Sequence, residues 1–384
     1  MGDATTTPTS ALLLTILQET LSRLATIAFA ARLGPSFSPE CKRYRLLADI
    51  FNDAAMLLEC LCPLLPTRSL RVAVLCSASM GKALCGVAAG SAKASLSAHF
   101  ARRDNLGELG AKDASQETVI SLLGMLAGSV IVPRVVSTWA IWTMLVALLA
   151  VHLGTNWLAV RAVSMRSLNR QRANILLSTL LETGQVVLTP AEVAKREKVF
   201  ESDGVLRWHT GQILGYCRIG VTLQELLVHA EGRGSTRKSF PDMKLDLEKF
   251  LFIFVHRKYI LWFDESARQA FIVLKKGAQP IDQLQAWMHA LVVACEHGRG
   301  EYKSKDQALR YPRYKAAQSK DEPHGLLSWA GLKADMVLYF EKSIRRAGWD
   351  LTVAAMQTRP GTRISGLEGE EDDDDDDDDD DDGH

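Results

Sequence analysis

The stretch Thr138–Val160, TWAIWTMLVALLAVHLGTNWLAV, decides the fold class. Its 23 residues hold no charged side chain, and after Thr138 and Thr143 the polar positions are His152, Thr155 and Asn156. A helix of this length reaches across the hydrocarbon core of a bilayer with some tilt. Trp139, Trp142 and Trp157 sit toward its ends, where interfacial aromatics are favoured. Arg161, Arg166, Arg170 and Arg172 follow, so the positive-inside rule places the carboxy-terminal side toward the cytosol or its equivalent. The competing reading is a long buried helix of a soluble protein, which does not account for the flanking Trp and Arg pattern.

Working back from this span, the sequence predicts further apolar helices. One runs from Ala11 to Leu33, with Glu19 and Arg23 four apart, and Gly34-Pro35 is expected to end it. A second runs from about Pro39 to Leu61 and stops at Cys62-Pro63. A third, Leu70 to about His99, is rich in small residues such as Ala73, Gly81, Gly86 and Gly90, which let helices approach closely in lipid. Ala101 to Glu117 reads as a polar connection. A fourth apolar run, Thr118 to Val132, contains the GxxxG spacing Gly124–Gly128 and is broken at Pro133.

Working forward, the pattern becomes α+β. Thr189-Pro190-Ala191-Glu192 is a capping box with proline at the first helical position, and Thr222-Leu223-Gln224-Glu225 is a second box. Lys258–Phe263 and Gln269–Leu274 alternate around Asp264-Glu265-Ser266, the pattern of a β-hairpin. A helix is expected over Ile281–Cys295, a loop over 297–323, and a last helix from about Leu326 to Ala347. The acidic end cannot pack and is expected to be disordered.

The fold expected is therefore mainly α. A membrane-embedded helical bundle (1–175) precedes a smaller soluble α+β domain (176–363) and a disordered acidic tail (364–384).

Charge divides the same way. Lys plus Arg and Asp plus Glu are 45 each. Setting aside Glu368, Glu370, Glu371 and the run Asp372 to Asp382 leaves 31 acids against 45 bases, so residues 1–367 carry about +14. A basic body suits a surface of anionic lipid. It carries no nucleic-acid motif, so no nucleic-acid partner is expected. The seven cysteines form no CxxC pair and read as small buried hydrophobes in a reducing compartment. No cleavable signal peptide is legible after Met1.

Enzyme signatures were tested and fail. Gly81-Lys82 is no P-loop, because Cys76 stands where a glycine is needed and Ala83 replaces Ser/Thr. Gly298-Arg299-Gly300 lacks the third glycine of a dinucleotide site. HExxH and GxSxG are absent. Cys60, Cys62, Cys76, Cys85 and His99 lack zinc spacing. No catalytic residue, metal site or cofactor is assigned, and the chain is expected not to be an enzyme.

The informative residues are polar ones in apolar surroundings. Arg45, Asp49, Asn52 and Asp53 recur at helical spacing among Leu46, Leu47, Ile50, Phe51 and Leu57, so they share one face. In a soluble protein this is a solvated face; in a membrane bundle such charges line a cavity or pair internally. Arg45 can reach Asp49 at i+4. A second polar block comprises His99, Arg102, Arg103, Asp104 and Asn105, then Lys112, Asp113, Ser115, Gln116 and Glu117. Together these residues are the candidate lining of a polar cavity.

Lys42-Arg43-Tyr44-Arg45-Leu46-Leu47-Ala48-Asp49 with Asn52-Asp53 resembles the KRxRLxADxxND segment of the root UVB-sensitive family. The stretch from His99 to Gln116 resembles that family's HFAxRxNxxDxxAKxxSQE block. The capping segment after Leu188 and Ala347-Gly348-Trp349-Asp350 resemble further family features, so the likeness runs from about Gly2 to Arg363. Gly107-Glu108 stands where the family more often has Ala-Asp. Members usually carry further sequence, including apolar segments, ahead of the point where this chain starts, which suggests a truncated gene model or a short isoform. The resemblance implies a multi-pass intracellular membrane protein, linked in plants to UVB tolerance, seedling development and vitamin B6 homeostasis, with no established catalytic activity.

Three functions follow as expectations. The first is a carrier or sensor of a small solute, anionic if Arg45, Lys82, Lys93, Arg102 or Arg103 meets it. The alternative is a membrane adaptor whose basic carboxy-terminal domain binds partner proteins. A pyridoxal-phosphate handler using Lys82 or Lys112 ranks last for want of a motif. The expected partners are the lipid bilayer and a homo- or hetero-oligomer with a family member.

Overall fold

The structure, a computed structural model, describes residues 8–102, 105–230, 251–298 and 334–365. The expected loop over 297–323, the start of the last helix near Leu326 and the acidic tail fall wholly or largely outside them. The chain divides into two compact units: residues 1–214 with 337–360, and residues 215–336 with 361–384.

Unit 1 is built on five helices: α1 (Pro8–Phe37), α2 (Cys41–Leu61), α3 (Arg68–Phe100), α4 (Leu106–Ile131) and α5 (Thr138–Ala162). Four stretches are long and apolar enough to cross a membrane: α1, α3, α5, and α4 with the turn that follows it. The charged helix α2 is outside that group. It packs against α3 and α5, while α1 lies mainly on α3. α4 buries no residue, and α5 buries only Val160. Leu123, Met125, Leu126 and Ile120 of α4 are each more than half exposed.

Small residues let α2 and α3 close. Ala48, Ala55, Ala78, Ala88 and Ala92 are almost fully buried. A Cβ on Gly81 would sit 3.4 Å from both the Phe51 carbonyl oxygen and Ala55 Cβ. Lys82 Nζ donates to both Glu59 oxygens at 2.6 and 2.7 Å, joining the two helices across the same face.

Three expectations are corrected here. Helix α1 does not stop at Gly34-Pro35 but continues to Phe37. The donor that Pro35 lacks costs one bond in the last turn. Ser36 ties the turn in another way: its hydroxyl lies 2.6 Å from the Leu33 carbonyl and 2.6 Å from Tyr44 Oη. Phe37 stacks edge-on to Tyr44 at 4.8 Å. Second, the polar stretch Ala101–Glu117 is mostly helix, because α4 begins at Leu106. Ala, Gln, Glu and Lys in it are good helix formers, and Glu108–Lys112 is an i,i+4 pair. Third, the expected last helix is broken at Phe340 into α10 (Met336–Tyr339) and α11 (Glu341–Arg346).

Beyond α5, unit 1 continues through α6 (Arg170–Thr183), α7 (Pro190–Arg196) and the short strand β1 (Val205–Arg207). Asn169 caps α6 by accepting from the Arg172 N–H at 2.9 Å, and Gly184 closes it at φ 72. The Thr189–Glu192 capping box forms as expected. Trp349 Nε1 donates to the Leu188 carbonyl at 2.7 Å, and the Asp350 N–H donates to the Arg166 carbonyl.

In unit 2, β4 (Gln269–Lys275) is central. The hairpin partner β3 (Tyr259–Asp264) pairs with it antiparallel, from Tyr259 opposite Leu274 to Asp264 opposite Gln269. Asp264 Oδ1 closes the turn by accepting from the Ser266 hydroxyl and the Ala267 N–H. On the other edge, β2 (Ile213–Ile219) pairs parallel with β4, and β5 (Arg363–Ile364) continues that edge. The sequence predicts no strand before the Thr222–Glu225 box, and β2 is missed because its Gly215 and Arg218 interrupt the alternation. Gly215 is required because a Cβ there would run into the Arg268 carbonyl oxygen. Helices α8 (Leu223–Ala230) and α9 (Pro280–Gly298) accompany the sheet; α9 lays Trp287, Ala290 and Leu291 into a core with Ile260, Leu261, Phe271 and Ile272.

Candidate functional site

The polar face of α2 points at α5 and forms one layer. Arg45 Nη1 donates to Asp49 Oδ1 at 2.9 Å, the pairing expected at i+4. One turn on, His152 Nδ1 of α5 lies 3.1 and 2.9 Å from the two oxygens of Asp53. Asn52 Nδ2 reaches Asp53 Oδ1 at 3.3 Å and Met56 Sδ at 3.5 Å. Asp49 and Asp53 are buried, whereas the Arg45 and His152 side chains remain 35% and 40% exposed. The layer is thus anchored by carboxylates and reached past a guanidinium and an imidazole. Asp49 Oδ2 is buried and accepts no hydrogen bond from the described residues. Cys85 of α3 lies within electrostatic reach of Asp49, Arg45 and Asp53.

The other expected residues do not join this layer. Lys93 of α3 binds Asp113 at 2.7 Å and Glu117 at 2.8 Å, stapling α3 to the start of α4. Lys112 pairs with Glu108 on the exposed side of α4, where Ser115 and Gln116 are also exposed. Asn105 Oδ1 accepts from the Arg102 N–H at 2.7 Å and so turns the chain into α4; both residues are exposed. His99 lies at the far end of α3, where its carbonyl accepts from Arg166. Arg103 and Asp104 lie outside the described residues.

A second polar centre was not anticipated. Lys42, at the first turn of α2, places Nζ 2.5 Å from Glu197 Oε2, and Arg172 Nε donates to Glu197 Oε1 at 2.8 Å. All three are buried. Arg172 also donates to the carbonyl and hydroxyl oxygens of Ser167 and to the Pro39 carbonyl. Burial pushes the Glu197 carboxyl up, but Arg172 and Lys42 outweigh it and hold it below the usual carboxylate range. Burial dominates at Glu40 and raises its carboxyl despite Arg172 and Arg170. Arg170 pairs with Asp203 and donates to Thr358 Oγ1 at 2.7 Å.

This centre corrects the reading of the arginines after α5. Arg170 and Arg172 are buried and internally paired, so they are not surface charges available to lipid headgroups. The positive flank of the span rests on Arg161 and Arg166. Its sequence signal lies in the motif itself: Lys42 and Arg43 open the KRYRLLAD run, and their partners, Glu197 and the Glu201 carbonyl, lie more than 150 residues away.

Fold and site together define a mainly helical protein with helices able to cross a membrane, a charged helix held among them, and a smaller α/β region. The model of the vitamin B6 photo-protection and homoeostasis domain matches residues 1–184, and that of the root UVB sensitive protein C-terminal region matches residues 186–358. The chain belongs to the root UVB sensitive family. Protein root UVB sensitive 3 of Arabidopsis thaliana is 31% identical, over 77% of this chain and 64% of its own. RUS family member 1 of Dictyostelium discoideum is 35% identical, over 53% of this chain and 39% of its own. Protein root UVB sensitive 2, chloroplastic, of Arabidopsis thaliana is 25% identical, over 68% and 55%. The chain therefore spans between about two fifths and two thirds of these relatives. No solved structure matches it.

Proposed function

We propose that the chain is a non-enzymatic, multi-pass intracellular membrane protein that carries or senses a small polar solute at the α2–α5 layer. One observation carries this reading: Asp49 and Asp53 are held among helices whose outer faces are apolar. Charges so placed are costly in a bilayer and are kept where they bind or move something. The exposed apolar surface of α4 and α5 supports lipid contact, since a soluble protein rarely leaves patches of that extent uncovered. The name of the matching domain makes vitamin B6 compounds the first solutes to try.

The test has two arms. Membranes containing the full chain are extracted with alkaline carbonate; the protein stays in the pellet, and its release would overturn the membrane reading. Asp53→Asn and His152→Ala are then expressed in a line lacking its endogenous relative. Both should accumulate in the membrane as the wild type does but fail to restore normal vitamin B6 pools. Full restoration by both would sink the solute reading.

The adaptor reading draws support from Phe252, 76% exposed, and from the exposed Val255 beside it in unit 2. Deleting the carboxy-terminal region would not test it cleanly, because that removes Glu197 from beneath Lys42. Phe252→Asp is the sharper probe: loss of function with normal accumulation would favour an adaptor.

A further inference from the structure

Three of the cations expected to meet an anionic solute are already occupied. Arg45 is held by Asp49, Lys82 by both oxygens of Glu59, and Lys93 by Asp113 and Glu117. Arg102 is an exposed residue of the turn before α4. What the α2–α5 layer leaves over is negative. Its charged and titratable groups are Arg45, Asp49 and Asp53 from α2, His152 from α5 and Cys85 from α3. Beside His152 and Cys85, two carboxylates face one guanidinium, a surplus of one acidic group.

The surplus has a location. Asp53 shares both of its oxygens with His152, and Asp49 Oδ1 is taken by Arg45. Asp49 Oδ2 is left buried and unpartnered, in a residue only 5% exposed. A buried carboxylate oxygen with no donor is destabilising, and removing it from water costs more than a neutral group would. It is satisfied by a donor, and a cationic donor makes the stronger hydrogen bond to a carboxylate oxygen. A phosphate or carboxylate would add to the surplus.

We propose that the layer binds one compact positive charge, an ammonium group or a proton, with Asp49 Oδ2 as the acceptor and Asp53–His152 as its neighbouring wall. This rests on the membrane-carrier reading and narrows its solute to amines and protonated species rather than phosphorylated ones.

The test uses the full chain in nanodiscs of neutral lipid and two radiolabelled probes, methylammonium and inorganic phosphate, with proton uptake followed by a pH dye. Wild type should bind methylammonium saturably, and Asp49→Asn about ten-fold or more weaker, the scale of one charged hydrogen bond. Glu59→Gln should bind as the wild type does. If methylammonium does not bind but one proton per chain titrates and is lost in Asp49→Asn, the positive charge is a proton and the proposal stands. Saturable phosphate binding that depends on Arg45, or neither ligand nor proton uptake, overturns it. A chain that will not enter nanodiscs at all instead removes the membrane reading beneath it.

Discussion

Lys42 and Glu197 form a buried ion pair at 2.5 Å that ties the first turn of α2 to the residue after α7, across 155 positions of sequence. Helix α2 thus has two ends with different duties. Its first turn is bound to the α6–α7 region, and its next three turns carry Arg45, Asp49 and Asp53 toward α5.

Breaking this pair from one side leaves the other charge buried. Lys42→Met should lower the unfolding midpoint of the purified chain by the equivalent of about 3–5 kcal/mol, and Glu197→Leu should do the same. The double substitution should recover only part of the loss, because Arg172 stays buried with its carboxylate partner gone. Thermal unfolding in detergent measures all three. A double variant as stable as the wild type would show that Arg172 needs no carboxylate partner.

The acid limb of stability follows from Glu197. Its carboxyl lies below the ordinary value in the folded chain, so the folded state gives up its proton more readily than the unfolded one. The resulting stability is fully present above the unfolded value of about 4.3 and is lost as pH falls through the depressed folded value. Glu197→Gln should flatten the fall in unfolding midpoint across that acid window. An unchanged acid limb would remove Glu197 as its source.

Glu40 has the opposite sign. Burial raises its carboxyl, so its charged form is disfavoured in the folded chain and costs stability at neutral pH. Glu40→Gln should raise the midpoint at pH 7. The advantage should shrink as pH falls through the raised folded value and vanish below about 4.3, where both versions are neutral. A lower midpoint for Glu40→Gln at pH 7 would mean that the carboxylate is needed as a charge.

Much of this fold is legible locally. The apolar run Thr138–Val160, the Thr189–Glu192 box and the hairpin around Asp264-Glu265-Ser266 are each specified within a few residues, and each stands in the structure. The errors share another cause. Pro35 fails to stop α1 because Phe29, Phe37 and Tyr44 pack around the turn. Arg170 and Arg172 look like surface charge because their partners Asp203 and Glu197 are 25 or more residues onward. The Arg45–Asp49 pair was readable at i+4. His152 as the partner of Asp53, 99 residues away, was not.

That distant pairing gives the last prediction. Asp53 and His152 are the one described hydrogen-bonded side-chain contact between α2 and α5, so their exchange separates role from packing. Swapping them, Asp53→His with His152→Asp, keeps the charges and reverses the direction of the contact. If the pair only holds helices together, the swapped chain should match the wild type in both unfolding midpoint and function. If the layer binds a positive charge beside Asp49, moving the carboxylate to α5 displaces it from Asp49 Oδ2. The midpoint should then stay close to that of the wild type, because the same two groups still pair between the helices, while vitamin B6 pools in the complemented line remain unrestored. Midpoint and pool size are read from the same expressed variant, and a swapped chain that restores the pools would assign Asp53 and His152 to packing alone.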